Sequence, residues 1–269
     1  MINNENYSSE YLKQKSNEQS ENSLYVDSNG ILSKINFSVE VDTKPHVDTV
    51  IISDVHLGSP VSRPHELIKL LDHYSFRQLI LNGDIFDDLN FKRFRDEDWE
   101  FVRYLRFLST DRLKKVIWII GNHDGNADLL SNLIGVKIYQ EYFWQYDGKT
   151  YLAIHGHQFD DFLYKHVIIS NIASAIYHLI QKWGGESQKV SRYIKRASKS
   201  WLKLSNKIAS RALNHAKINK ADIIICGHTH QAIHKINGTT EYYNSGCWTD
   251  KPAHYITIDT INGITLNQI

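Results

Sequence analysis

Two cysteines in 269 residues are too few, and Cys226 and Cys247 stand too far apart, to build a disulfide framework. They read as buried, reduced thiols and point to a reducing compartment. The opening residues, MINNENYSSEYLKQK, contain no basic segment followed by an apolar one, and no stretch of the chain is apolar for long enough to span a bilayer. An unexported, cytoplasmic protein is expected. Large aliphatic side chains are nearly missing before residue 24, so this part cannot bury enough surface to offset its chain entropy. Residues 1–46 are therefore expected to be a disordered or loosely ordered tail preceding a domain at 47–269, a length that supports a core without staples. No internal repeat is present.

Continuous apolar runs of strand length then recur: VDTVIIS from Val47, QLILN at 78–82, KVIWII at 115–120, YLAIH at 151–155 and DIIIC at 222–226. Between them lie helical patterns, PHELIKLLDHY with Pro64 suited to a first turn, DEDWEFVRYLRFL with its leading acids, and GNADLLSNLI. The alternation predicts an α/β core. After His234 the runs shorten around Asn237-Gly238 and Asn262-Gly263, two hairpin signals. From about 158 to 220 there is no strand-like run. Apolar residues recur there at helical steps on both sides of Gly184-Gly185, predicting a helical hairpin inserted as a cap.

Each core strand ends in a short polar sequence: SDVH at 53–56, NGD at 82–84, GNHD at 121–124, HGH at 155–157 and GHTH at 227–230. Ligand sites in α/β folds gather outside the carboxyl ends of strands, so the five ends should converge. They would bring together Asp54, His56, Asp84, Asn122, His155, His228 and His230, a set of hard and borderline donors without a thiolate. Such a set suits Mn, Fe, Zn or Mg. Seven ligands exceed the needs of one ion that keeps a position open, so two divalent ions are expected, with Asp84 the best candidate to bridge them. Mn²⁺ leads, and Fe, Zn or Mg are the alternatives. Two cations roughly 3.5–4 Å apart acidify a shared water and clamp the oxygens of a phosphoryl group, which implies hydrolysis of a phosphate ester or anhydride.

These five blocks, in this order, resemble the signature of the calcineurin-like metallophosphoesterase superfamily: D-x-H, G-D, G-N-H-D, H and G-H-x-H. The resemblance implies a four-layer αββα sandwich of two mixed β-sheets flanked by helices. It further implies Asp54, His56, Asp84 and His230 on one metal, with Asp84, Asn122, His155 and His228 on the other, and a bridging hydroxide as the nucleophile. His123 would assist the leaving oxygen, and Asp124 would orient His123. Within the superfamily the sequence is most similar to UDP-2,3-diacylglucosamine diphosphatases of lipid A synthesis, through SDVHLG with GDIFD, the helical insertion, and NSGCW after GHTH. Those enzymes cut a pyrophosphate bond to release UMP and a lipid monophosphate. GNHD where founding members have GNRD, and HGH where relatives have HGD, move the chain toward the general phosphodiesterase pattern. A soluble phosphodiesterase or nuclease is thus the alternative, and a metal-free scaffold the third reading.

Net charge is only +1, yet Lys182–Lys220 holds eleven basic residues and one acid, Glu186. Mixed signs are usual on a merely soluble face; a lysine-rich flank beside an apolar stripe tends to lie on anionic lipid. Arg192, Arg196, Lys199 and Lys203 are the expected substrate-binding residues. The implied partners are a phosphorylated lipid or nucleotide-linked substrate and an anionic membrane surface, with peripheral attachment to its cytoplasmic side. Nucleic acid ranks lower, because no aromatic stacking platform interleaves the charges.

Overall fold

The computed structural model describes residues 20–26, 32–38, 44–160 and 188–269. The chain divides into two units, Met1–Pro45 and His46–Ile269. In the first, strand β1 (Ser20–Val26) pairs antiparallel with β2 (Leu32–Ser38). These paired strands depart from the expected tail: INFS alternates apolar and polar residues, and Leu24, Tyr25 and Val26 supply apolar, strand-favouring side chains.

The second unit has four layers. Its first sheet runs β13-β12-β3-β4-β5-β6, and its second runs β10-β11-β9-β8-β7. In the first, β3 (His46–Ile52), β4 (Ser75–Asn82), β5 (Lys115–Ile119) and β6 (Ile138–Tyr139) are parallel, while β12 (His254–Asp259) and β13 (Gly263–Gln268) are antiparallel. In the second, β8 (Lys149–Ile154), β9 (Ile223–Cys226) and β11 (Thr240–Asn244) are parallel neighbours, edged by antiparallel β7 (Glu141–Tyr146) and β10 (Ile233–Asn237). Both sheets are mixed, as the αββα expectation requires, and both Asn-Gly pairs fall at hairpin connections.

The sheets face each other across Ile51, Ile80, Ile117 and Ile119 on one side and Trp144, Tyr151, Ala153, Ile223 and Ile225 on the other. Strands buried on both faces explain the unbroken apolar runs. Helices α1 (Pro64–His73), α2 (Asp96–Thr110) and α3 (Ala127–Ile134) cover the outer face of the first sheet. Their ends carry the expected signals. Pro64 opens α1, the acids Asp96, Glu97 and Asp98 open α2, and Asn126 Oδ1 accepts from Leu129 N at the start of α3.

Helix α4 (Gln188–Ile218) supplies the fourth layer. Ala209, Ala212, Leu213 and Ala216 are buried against Leu152, Ile224 and Tyr242. The second half of α4 is therefore a core helix, where sequence reading placed all of 158–220 in a cap. Alanines at helical spacing let the helix lie close on the sheet, a role that composition alone does not distinguish from an amphipathic cap. The other arm of the expected hairpin lies outside the described residues. No described helix is long and apolar enough to cross a membrane.

Candidate active site

Strands β3, β4 and β5 of one sheet and β8 and β9 of the other deliver their carboxyl ends to one place. The backbone there is unusual. Seven described residues other than glycine have positive φ, and five are candidate ligands: Asp54 (53°), His56 (51°), Asp84 (52°), His228 (67°) and His230 (54°). Each such residue costs on the order of 1 kcal/mol and persists only where its surroundings fix it. The fixing bonds are visible: Asp54 N donates to Gly83 O at 3.0 Å, His56 N to Asp84 O at 3.1 Å, and Trp248 N to Asp54 O at 3.0 Å. Strand end thus holds strand end.

Four groups of donors result among the described residues, and two of them consist wholly of expected ligands. Asp54, His56 and His230 offer ligand atoms within 4.8 Å of one another, and so do Asp84, His155 and His228. These two groups are joined through main chain, since His228 N donates to the Asp54 carboxylate at 3.1 Å; His123 N donates to Asp84 Oδ1 at 2.8 Å. Asn122 sits on the same turn as His123 and is exposed. The glycines of the motifs make this closeness possible. A Cβ on Gly121 would overlap Asp84, and one on Gly227 would come to 2.5 Å from Asp54 Oδ2.

Donor atoms left without partners test whether the residues fit cations. Among the described residues, Nε2 of His56 and Nε2 of His155 are buried with no hydrogen-bond partner. His155 Nε2 is 3.2 Å from Asp84 Oδ2, near but not aligned, as two ligands of one ion would be. Its other nitrogen donates to Asn82 O at 2.8 Å, which turns Nε2 toward Asp84. An unsatisfied buried nitrogen costs about 1–3 kcal/mol, a cost that a bound ion would remove. The residues fit a pair of divalent ions.

Charge in the site is tightly coupled. Burial works to raise the Asp84 carboxyl, but the imidazoles of His155, His123 and His56 outweigh it and hold it well below its ordinary value. Asp54 is likewise lowered, against burial, first by His230. Burial disfavours charge on His155, yet the Asp84 carboxylate pushes it up to about 9. His157 goes the other way, to about 4, through burial and the neighbouring His155 and His228. It is a neutral imidazole at neutral pH.

His123 is exposed, 5.0 Å from the His56 ring between centroids, and its Nδ1 donates to Asp87 O at 2.9 Å. Asp124 does not orient that ring. Its buried carboxylate accepts from the backbone N–H groups of Asp84, Ile85, Phe86 and Gly121 at 2.8–3.0 Å and from Trp118 Nε1 at 3.2 Å. It shapes the Asp84 loop instead, because an inward carboxylate meets the bare amides of that turn before it could reach an exposed imidazole. Arg192, Arg196 and Lys199 fall on α4, but their side chains lie outside the described residues. Lys203 is exposed.

Three acids or thiols near the ligands escaped sequence reading. Asp87 Oδ1 meets His56 Nδ1 at 3.2 Å and is paired with Arg93; Asp160 Oδ2 meets His228 Nε2 at 3.1 Å; Cys247 stands beside His230. Asp87 lies in GDIFD and Cys247 in NSGCW, both segments with a sequence signal but with no ligand role read for these residues; Asp160 had no signal.

The model of the calcineurin-like phosphoesterase family matches residues 48–232, a span that runs from strand β3 through all five ligand blocks. The chain belongs to the calcineurin-like phosphoesterase family. As a member it is a metal-dependent hydrolase of phosphate esters. Solved structures similar to this phosphoesterase include an archaeal phosphodiesterase (15% identity over 82% of this chain and 99% of that one, TM-score 0.46). Others are Vps29 of Entamoeba histolytica complexed with zinc (11%, 82% and 97%, 0.43) and Yfce, a phosphoesterase of E. coli (15%, 79% and 88%, 0.42). No curated relative matches the sequence.

Proposed function

We propose that this phosphoesterase uses two divalent ions to hydrolyse a pyrophosphate or phosphodiester bond, and that its substrate is a UDP-2,3-diacylglucosamine-like lipid pyrophosphate. The observation that carries the two-ion reading is the pair of adjoining donor groups, Asp54–His56–His230 and Asp84–His155–His228. Divalent ions bound there would supply Lewis-acid stabilisation of phosphoryl oxygens and a water acidic enough to attack at neutral pH.

The chain's own residues do the rest. Asp84 is the candidate to serve both positions; its Oδ2 faces His155, and its Oδ1 accepts from His123 N, which fixes the carboxylate. Asp87 O accepts a hydrogen bond from Nδ1 of His123, which leaves Nε2 of that exposed ring for the leaving-group oxygen. Neutral His157, beside the second donor group, can accept or donate a hydrogen bond without adding charge.

Support for a lipid-linked substrate comes from SDVHLG with GDIFD, from NSGCW, and from the basic stretch continuing onto α4. His157 and His123 favour a soluble phosphodiesterase as the second reading. Manganese-loaded protein should turn over a UDP-diacylsugar faster than a bis-aryl phosphate, and Asp84→Ala should lose at least a hundredfold in kcat on both. A preference for the bis-aryl ester selects the second reading; undiminished turnover by Asp84→Ala ends the two-ion account.

A further inference from the structure

The seven ligands read from sequence contain no sulfur, but the fold adds one. The NSGCW segment follows β11, and its placement is fixed from several sides. Ser245 Oγ lies 2.7 Å from Ser53 Oγ, Trp248 N donates to Asp54 O at 3.0 Å, and Ser245 N donates to Cys226 O at 2.9 Å. These bonds bolt the segment to the ends of β3 and β9, where Asp54 and the GHTH loop begin. Cys247, buried to 1% exposure, is thereby set against His230. Its Sγ, a ring nitrogen of His230 and a carboxylate oxygen of Asp250 all lie within 4.8 Å of one another. His230 belongs at the same time to the group with Asp54 and His56, and His56 Nε2 is buried in that group with no partner. A buried sulfur and an exposed carboxylate therefore continue an incompletely satisfied donor cluster on its His230 side.

We propose that Cys247 is a metal ligand of this chain: with His230 and Asp250 it extends the Asp54–His56–His230 group into a position for a thiophilic divalent cation of the zinc class. When the ion binds, the Cys247 S–H bond gives its proton to solvent, a sulfur–metal bond forms, and no electron changes hands. A thiolate favours zinc or cobalt over manganese or magnesium, so the His230 side of the centre differs in metal preference from the sulfur-free Asp84–His155–His228 side.

This inference rests on the metal centre proposed above but not on its substrate. The test is cobalt titration of the metal-stripped full chain, read by absorption. Wild type should show the visible bands of bound Co²⁺ together with a near-ultraviolet sulfur-to-cobalt charge-transfer band. Cys247→Ser should keep the visible bands and lose the charge-transfer band, and Cys247→Ala serves if the serine variant does not fold. Cys226→Ser, at the other buried thiol, should retain both. In competition, the zinc-over-manganese preference should fall at least tenfold in Cys247→Ser. Bound cobalt without a charge-transfer band in wild type overturns the proposal, as does a band that survives loss of Cys247 or disappears with Cys226. Failure to bind cobalt at all overturns the metal centre as well. A charge-transfer band in a protein that hydrolyses neither test ester would leave this inference standing while the proposed substrate class falls.

Discussion

Five donors converge on the carboxylate of Asp124, and four of them belong to the turns that carry Asp84 and His123. Asparagine at 124 keeps the shape but presents an N–H₂ where an acceptor is needed, so at least two backbone donors would be stranded in a fully buried site. Asp124→Asn should lower stability by about 3 kcal/mol and weaken metal binding, read from urea midpoints of the metal-free and metal-loaded protein. An unchanged midpoint would contradict the assignment of Asp124 to the Asp84 loop. His155 gives a second residue-level prediction. Its folded value, about 9, lies above the ordinary imidazole value, so its contribution to the metal-free fold is complete below about 6.5 and disappears as pH rises through 9. A metal must displace that proton from Nε2. Calorimetry in buffers of different ionisation heat should therefore show proton release on metal uptake at pH 7 that diminishes above pH 9, with affinity rising across the same window; release independent of pH would count against it. The ligands themselves were legible in the sequence because strand-end position and donor chemistry coincide in each motif. Cys247 and Asp160 were not, since only the packing of NSGCW and of the turn after His157 brings them to His230 and His228.

At the scale of elements, the buried strands and the first three helices follow directly from apolar runs and end signals. The misses have physical reasons. Strand β6 is two residues long, and β7 is an edge strand whose EYFWQY lacks an aliphatic run. Strands β1 and β2 flank another Asn-Gly, at 29–30, in a region whose overall composition argued for a tail. Helix α4 is the instructive case. Its basic residues drew attention to a cap, whereas Ile208, Ala209, Ala212 and Ala216 are fully buried. Its first half bears on the site too, because Trp201 Nε1 donates to Thr229 O inside GHTH at 2.9 Å. If the small side chains set how closely α4 lies on β8 and β9, Ala212→Leu should cost about 1–3 kcal/mol through overpacking. Thermal melts would read this as a lowered midpoint, and an unaltered melt would mean that α4 is not held by that contact.

For the molecule as a whole, the uneven charge is the property no single element explains. Lys182–Lys220 carries ten net positive charges in a chain whose total is +1, so the rest of the protein is net acidic and would be repelled by an anionic surface that attracts this stretch. Attraction and repulsion together would orient the chain, basic stretch toward the surface, if the surface is a membrane of anionic lipid. Each lysine near such a surface contributes about 1 kcal/mol, and removing Lys199 and Lys203 together should therefore weaken partitioning roughly thirtyfold. Turnover of a small soluble ester by Lys199→Ala/Lys203→Ala, set beside wild type, separates loss of membrane docking from damage to the metal centre. Co-sedimentation with phosphatidylserine vesicles at low and physiological salt would read the partitioning, and vesicles of zwitterionic lipid should bind neither protein. Equal partitioning of the double variant and wild type would make the basic stretch an ordinary solvated face and remove the membrane from the account, while the strand-end metal centre would stand.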